Sequence, residues 1–461
     1  MRIAFVSGNR ELLPDAVIPL GLLYVMAATP AHHEKVLWDL CFEDDPQATL
    51  ARNLAAFQPD LVALGMRNIQ NNDYSDTSTN IQYYQDLVAT VRAHSRAPVV
   101  LGGGGFSVMP EKLLLRLGAD FGIAGEGESA FVALVEALQS GGDTNAIGNL
   151  HTRRTGGLQT TVHSNPPALG WQNLDQLAVP DRSAVDPRHY GTYHIDSVQT
   201  KRGCALHCDY CTYPLIEGRA VRQRSPEAVA DEMCLSIEKR PEIKHFFIVD
   251  SVVNLPPRHA KAVCRALIDR KWQVPWTAYA NPLAFDRELA DLMVAAGCAG
   301  VEIGSDSGVD RVLTAMKKGF LRKDIERMHQ TCAAAGLRDC HTFILGTPGE
   351  TLDDVAESLD FCRDLSPFAA ILMIWLDDAE SLDPELAAER AVFRDQVKQR
   401  VLQKADEFPR WIIPPLGVNF DPRLFDFLRT LGMAGPLWQH LDRLDGRPRT
   451  RKRRLPLSPA A

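Results

Sequence analysis

Residues 204–211 read Cys204-Ala-Leu-His-Cys208-Asp-Tyr-Cys211 and place three cysteines within eight positions. A short loop of this spacing can wrap three thiolates around one metal centre. Three protein ligands on a cubane iron–sulfur cluster leave its fourth iron open to a substrate. The competing interpretation is zinc held by the same cysteines and His207, although that histidine is pressed between two of the ligands. The spacing favours the iron–sulfur centre.

The sequence around and after this loop alternates short apolar runs with segments of helical periodicity. The strand candidates are 195–201, 244–250, 275–280, 299–304, 339–345 and 369–375. Six such units with right-handed crossovers predict a partial (β/α)6 barrel over residues 194–375, with its active site at the carboxyl ends of the strands. Because the cysteine loop follows the first of these strands, we expect the metal centre at the barrel mouth.

The first 140 residues show the same alternation, which predicts a separate α/β domain. Its apolar runs are 2–7, 35–40, 61–66, 98–101 and 120–124. Five such units predict a doubly wound, Rossmann-like sheet that binds its ligand at the carboxyl ends of the strands. The remaining segments are predicted to be a linker (141–193), a helical C-terminal region (376–446) and a basic, disordered tail (447–461).

Composition excludes several classes of protein. The chain has 461 residues, of which 45% are apolar, and no apolar run reaches the length that a membrane span needs. Its net charge of −8 provides no overall field that would recruit nucleic acid. Ten cysteines without a secretory signal indicate a reducing compartment, so we expect a cytoplasmic protein.

Residues 195–375 resemble the radical S-adenosylmethionine (SAM) enzymes. Besides the cysteine loop, the similar segments are Phe246–Asn254, Val301–Gly308 and Phe343–Thr351, in the family's order. The resemblance implies that Cys204, Cys208 and Cys211 hold a 4Fe–4S cluster. The residues that it implies for SAM binding are Tyr210, Asp250, Glu302, Ser305, Asp306, Ile344 and Gly346. Two departures are Ala205, in place of a usual proline, and Asp306, in place of a usual glutamate.

A doubly wound domain before such a barrel resembles the cobalamin-binding branch of this superfamily. The implied cobalamin-binding residues are Arg67, Asn68, Gly102, Gly103, Gly104, Gly105, Gly125 and Glu126. Four consecutive glycines let a bulky ligand approach the backbone, although such a loop alone suits a nucleotide phosphate or a packing turn equally well. Arg67 resembles an arginine that a tryptophan-methylating member places below the cobalt. The alternative is an arginine paired with a carboxylate or phosphate.

The resemblance implies a methyltransferase that moves a methyl group from SAM, through methylcobalamin, to a carbon of a small-molecule, lipid or peptide substrate. It also implies a reducing electron donor such as flavodoxin or ferredoxin. One alternative uses the same cofactors for a rearrangement or ring modification, and another transfers the methyl group without homolytic cleavage of SAM. A hypothesis from a different class is a zinc- and nucleotide-binding sensor. No nucleic-acid partner is expected.

Overall fold

The structure is a computed structural model that describes residues 1–70, 80–156, 159–168, 170–377, 382–405 and 407–444. The tail at 447–461, for which the sequence predicts disorder, lies outside the described residues.

The first sheet has seven strands in the order β2-β1-β3-β4-β5-β6-β7. Its strands are β1 (Arg2–Ser7), β2 (Glu34–Asp39), β3 (Leu61–Gly65), β4 (Val99–Gly102), β5 (Phe121–Ile123), β6 (Leu150–Gly156) and β7 (Gln159–Ser164). The first five pair in parallel, as a doubly wound domain requires. β1, β3 and β4 are almost entirely buried, which explains why their sequences are continuous apolar runs.

Helices connect the parallel strands of this domain. They are α1 (Leu20–Ala28), α2 (Pro46–Phe57), α3 (Ile81–His94), α4 (Gly104–Val108), α5 (Pro110–Leu117) and α6 (Glu128–Ser140). The hairpin β6–β7 pairs antiparallel with β5, so part of the segment interpreted as a linker adds two strands to the first sheet. Gly156, one of the glycines that suggested a linker, is the last residue of β6 and pairs with Gln159, so it belongs to the hairpin.

The second sheet contains the predicted six barrel strands and one more. Its strands are β8 (Ile195–Val198), β11 (His245–Ile248), β12 (Trp276–Ala280), β13 (Cys298–Asp306), β14 (Asp339–Leu345), β15 (Ala369–Ile374) and β16 (Trp411–Ile412). All neighbours pair in parallel, with β8 and β16 at the edges, so the α/β fold class is confirmed. β9 (Lys201–Arg202) and β10 (Arg222–Gln223) form a small antiparallel pair beside it.

The barrel strands are connected by helices on their outer side. The helices are α7 (Tyr213–Glu217), α8 (Pro226–Lys239), α9 (Pro257–Asp269), α10 (Arg287–Ala295), α11 (Asp310–Ala315), α12 (Arg322–Ala335), α13 (Leu352–Leu365), α14 (Pro384–Lys404) and α15 (Pro422–Thr430). Alternation along β13 separates two environments. Val301 and Ile303 pack into the core with the helices, whereas Glu302 between them faces the cavity inside the barrel.

The C-terminal region closes the amino-terminal end of the barrel. A 3-10 segment at Leu437–Leu444 brings the ring of Trp438 against Gly300, where an added Cβ would lie 2.5 Å from it. Trp438 also shares a buried cluster with Cys340 and Ala369, near the first residues of β14 and β15. None of the helices in the described part of the chain is long and apolar enough to cross a bilayer.

Candidate active site

The cysteine loop begins directly after β9 and ends at α7. Gly203 has a φ of +87°, and a Cβ there would collide with the carbonyl oxygen of Ala220, so only glycine fits this turn. The Cys204 amide donates to the Gly218 carbonyl at 3.1 Å, which closes the loop. Cys204 is buried, and Cys208 and Cys211 are half-buried. The loop therefore presents its three thiols at the carboxyl end of the first barrel strand.

The thiols lie close enough to affect one another electrostatically. Burial raises the pKa of Cys208, and the neighbouring thiols raise it further. Burial likewise raises the pKa of Cys211, with a contribution from Cys204. Three thiolates together are stable only beside concentrated positive charge, which an iron–sulfur cluster supplies. The site thus fits that cluster.

The zinc alternative is not supported by the geometry. His207 is exposed. Among the described residues, one set of side chains is compact enough to hold a metal ion, with all its ligand atoms within 4.8 Å of one another. It consists of His329, Asp339 and His341 and includes none of the three cysteines. The three thiols and His207 do not form a set as compact as a single tetrahedral ion requires.

A cluster of polar side chains lies beside the cysteine loop. The Tyr210 hydroxyl donates to Asp306 Oδ2 at 2.6 Å, and Lys318 Nζ lies 2.5 Å from the same oxygen. Asp306 adopts a left-handed backbone conformation, with φ +63°, after a register shift between β13 and β14. Burial would lower the pKa of Lys318, but Asp306 and the thiols of Cys208 and Cys211 outweigh it and raise that pKa. Lys318 was not predicted from the sequence.

The ends of β14 and β15 add to this side of the barrel. The ring of Trp375 packs edge-on against Tyr210, with centroids 6.3 Å apart. Arg390 donates to the Gly346 carbonyl at 2.6 Å, and Gly346 has a φ of +83°. Ile344 is half-buried. It lies two residues after Thr342 on β14, so its side chain points to the same face of the sheet as Thr342, which lines the cavity. Trp375 and Arg390 were also missed by sequence reasoning, because neither lies in a recognisable motif.

Asp250 and Ser305 are not open to a ligand. The Thr200 and Lys201 amides donate to Asp250 Oδ1 at 2.8 and 3.2 Å, and the Thr200 hydroxyl donates to Oδ2. Asp250 is fully buried and fixes the segment that leads into the cysteine loop. The Ser305 hydroxyl pairs with His341 Nδ1 at 2.7 Å, also fully buried. Ser305 has the same strand parity as Val301 and Ile303, which pack against the helices, so it points away from the barrel interior and the structure does not support its expected contact with SAM.

The first domain contributes the strand ends that face the barrel. Arg67 and Asn68 line the cavity, as do Gly102, Gly103, Gly104 and Gly125. Gly103 has a φ of +98°, and a Cβ there would lie 2.6 Å from the Met66 carbonyl oxygen. At Gly105 a Cβ would lie 3.0 Å from the Asn68 backbone. At Gly103 and Gly105, the backbone of the neighbouring loop approaches too closely for a side chain to fit easily. Gly105 does not line the cavity.

One cavity of about 860 Å³ joins the two domains. Its walls include the glycine loop of the first domain and the side chains of Tyr213, Phe247, Tyr279 and Met373 in the barrel domain. This volume lies toward the upper end of the range of ligand pockets, about 300–1,000 Å³. The glycine-lined wall and the cavity's size fit a corrin ring against the first domain.

Two protein-family models match this chain, one in the barrel domain and one in the first domain. The radical SAM superfamily matches residues 198–362, and the B12 binding domain matches residues 12–135. This chain belongs to the family of cobalamin-dependent radical SAM methyltransferases. The family predicted from the sequence is thus confirmed, and the cofactors are a 4Fe–4S cluster, SAM and cobalamin.

Individual relatives of this methyltransferase cover most of its length. A tryptophan 2-C-methyltransferase from Streptomyces laurentii is 29% identical over 79% of this chain and 70% of its own. A cytidylyl-2-hydroxyethylphosphonate methyltransferase from Streptomyces wedmorensis is 24% identical, over 77% and 75%. The structure of the radical SAM methyltransferase TsrM from Kitasatospora setae, with tryptophan substrate and a SAM analogue, has a TM-score of 0.83 at 25% identity. It covers 95% of this chain and 97% of that one.

Glu126 of this methyltransferase ties the two domains together. It lines the cavity, but its carboxylate pairs with Arg222 and, at 3.1 Å, with Arg202. Arg202 also lies 2.6 Å from Glu128, and all four side chains are nine-tenths or more buried. Salt bridges of this kind set the orientation of the first domain against the barrel. Glu126 lines the cavity, so its expected contact with cobalamin stays a prediction, while its carboxylate is already paired with the two arginines.

The substitution Arg202→Met is expected to destabilise the apoenzyme by about 3–5 kcal/mol, because it leaves Glu128 buried without a cation. Thermal unfolding measures the change. The matched control is Arg265→Met, because the Arg265–Glu288 pair is more than half exposed and screened by water, so its loss is expected to change the stability little. Equal changes in the two variants would contradict the structural role of the Arg202 cluster.

Glu302 is the acidic residue inside the barrel of the methyltransferase. Burial raises its pKa to about 7, and the Trp438 indole N–H donates to Oε1 at 2.8 Å. In the unfolded chain this carboxyl ionises near its ordinary pKa of 4.5. The stability that it contributes is therefore present below pH 4.5 and is lost as the pH rises to about 7.

The substitution Glu302→Gln keeps an acceptor for Trp438 and removes the ionisation. We expect the variant to gain up to about 3 kcal/mol relative to the parent chain between pH 4.5 and about pH 8, because only the parent carboxyl becomes ionised. Thermal unfolding of both apoproteins across this range measures the gain. A difference in melting temperature that is independent of pH would contradict the raised pKa.

Proposed function

We propose that the methyltransferase acts on a carbon of a small molecule that is held inside the barrel. The observation that supports this is the continuous cavity, which runs from Gly102 and Gly104 in the first domain to Tyr279 and Met373 in the barrel. A substrate in this space would lie between the two cofactor-binding edges and away from bulk water. Holding reactants in this arrangement supplies much of the rate enhancement in such an enzyme.

Cys204, Cys208 and Cys211 would each hold one iron of the cluster. The Asp306–Lys318 pair offers a negative and a positive group beside the loop, which match the ammonium and carboxylate groups of SAM. The Tyr210 hydroxyl fixes the Asp306 carboxylate, so that its orientation does not depend on the ligand. Tyr210 and Trp375 supply aromatic surface for the adenine ring.

Arg67 and Asn68 lie at the end of β3, where the lower face of the corrin would rest. Arg67 is exposed and forms no ion pair with a described residue, which favours a role toward the ligand over a structural pair. A guanidinium stays protonated and cannot coordinate a metal. When bound, cobalamin carries the methyl group, and the cluster with SAM supplies it or generates a carbon radical.

We also propose that a reducing partner such as flavodoxin or ferredoxin docks at the cysteine loop. Ala205, His207 and Asp209 on this loop are exposed, so a donor could approach the cluster closely. The free state of all ten cysteines supports placement of the enzyme in a reducing compartment, which we propose is the cytoplasm.

Isotope transfer tests the proposed function. The chain is reconstituted anaerobically with iron, sulfide and hydroxocobalamin, and is then incubated with SAM labelled in its methyl group and a small-molecule extract of the source cells. A product that carries the labelled methyl group on carbon is expected. A product without label would favour the rearrangement or ring modification. Formation of 5′-deoxyadenosine with each turnover would indicate radical transfer, and its absence would indicate polar transfer.

A further inference from the structure

Glu302 differs from the other acids around the cavity in what surrounds it. Glu126 and Glu128 face arginines, and the Glu217 carboxylate accepts from Gln199 and from the Gly203 amide. Among the residues that the structure describes, the hydrogen-bond donor to the Glu302 carboxyl is the indole N–H of Trp438. One oxygen of its carboxyl is thus available to whatever enters the barrel.

The walls near this carboxyl are largely apolar. Phe247 and Tyr279 form an edge-on aromatic pair, with centroids 5.0 Å apart, and Met373 and Trp438 line the same cavity. Glu302 itself is 9% exposed. A buried carboxyl with a single neutral donor needs a further donor or a cation from its ligand before it is stable as an anion.

The depth of Glu302 separates it from the SAM-binding cluster. It lies four residues before Asp306 on β13, which corresponds to about 13 Å along a strand at roughly 3.3 Å per residue. Its partner on β14, Cys340, is only the second residue of that strand, and Trp438, which closes the amino-terminal end of the barrel, donates to its carboxyl, so Glu302 lies below the mouth of the barrel. The SAM contact expected for Glu302 from the sequence is therefore not the role that this position favours.

We propose that Glu302 recognises a nitrogen-bound hydrogen of the substrate, which makes that substrate a compact, largely apolar molecule with one N–H or ammonium group. This inference rests on the proposed function, because it assigns the barrel interior to the methyl acceptor. The carboxylate accepts from the nitrogen on one oxygen and from Trp438 on the other. The aromatic walls hold the apolar part, so the nitrogen fixes which carbon faces the cofactors.

Binding of matched probes to the reconstituted enzyme tests the proposal without turnover. One pair is indole and benzothiophene, flat bicycles of similar size of which indole has an N–H. The other pair is 2-phenylethylamine and 2-phenylethanol, which differ in their ammonium and hydroxyl groups. Titration calorimetry is expected to show at least tenfold tighter binding of the nitrogen member in at least one pair.

The substitution Glu302→Leu is expected to reduce that preference to less than threefold while the affinity for benzothiophene or 2-phenylethanol stays within threefold. The substitution Glu302→Gln keeps the acceptor for Trp438 and is expected to lose the preference for 2-phenylethylamine over 2-phenylethanol, provided that this pair shows it in the parent enzyme. Glu288→Gln, on the exposed face of α10, is the matched control and keeps every preference.

Equal affinity within both pairs, or a preference that survives Glu302→Leu, would overturn the proposal. Circular dichroism and melting temperature show whether each variant is folded, and the Glu302→Gln result decides the matter if Glu302→Leu does not fold. Failure of this proposal can be distinguished from failure of the proposed function. Label transfer that continues without any probe preference refutes the role of Glu302 alone, whereas a clear preference without label transfer refutes only the methylation.

Discussion

The substitution Cys208→Ala is expected to abolish methyl transfer, with a loss of about a thousandfold or more, and to remove the iron–sulfur absorption of the reconstituted enzyme. The half-buried thiol lies between Cys204 and Cys211 in the loop, and the proposed function assigns one corner of the cluster to each of the three thiols. Two remaining ligands leave a second iron exposed, and such a cluster degrades or loses iron. Absorbance near 400 nm and label transfer from SAM measure the two losses.

Cys234→Ala is the matched control for this result. Cys234 is half-buried on α8 and is not among the cluster ligands. Its replacement is expected to leave absorbance and turnover within about twofold of the parent enzyme. If Cys208→Ala kept the full cluster signal, or if Cys234→Ala lost it, the assignment of the three ligands would be wrong.

The substitution Arg67→His is expected to reduce methyl transfer by about a hundredfold if Arg67 lies below the cobalt as proposed, because an imidazole there would coordinate the metal and a guanidinium cannot. The parent enzyme is expected to show cobalt(II) without nitrogen coordination in its electron paramagnetic resonance spectrum. The variant is expected to acquire the splitting that an axial nitrogen produces. This readout reports on the residue below the corrin independently of activity.

Arg52→His, on the exposed side of α2, is the control for Arg67→His. It is expected to change neither the spectrum nor turnover. A parent spectrum that already shows an axial nitrogen, or an Arg67→His spectrum identical to the parent, would place Arg67 away from the cobalt. The arginine would then have a structural or phosphate-binding role.

The features of the fold and the site that depend on neighbouring residues could be predicted from the sequence. The spacing of the cysteines and the alternation of buried strands with helices are set by neighbouring residues, and both sheets follow them. Lys318 and Trp375 were missed because only the folded chain brings them to Tyr210, from the ends of distant elements. No local pattern distinguishes such residues from ordinary surface or core positions.

The expectations that the structure does not support arose where a sequence motif was used to predict the direction in which a side chain points. Asp250 follows a strand as expected, but its carboxylate bonds to the backbone of Thr200 and Lys201 inside the protein. Ser305 has the strand parity of Val301 and Ile303, which pack against the helices, so alternation along β13 already turns it away from the cavity. In the four-glycine run, Gly102, Gly103 and Gly104 line the cavity, whereas Gly105 lies against the Asn68 backbone and does not line it.

The measurement that tests the central claim most directly is a metal and sulfide analysis of the anaerobically reconstituted chain, with resonance spectra recorded before and after addition of SAM. We predict about four iron and four sulfide per chain, together with a reduced-cluster spectrum that SAM perturbs because one iron is open to it. Zinc without iron and sulfide, or a cluster spectrum that SAM leaves unchanged, would contradict an iron–sulfur centre with an open iron at the barrel mouth.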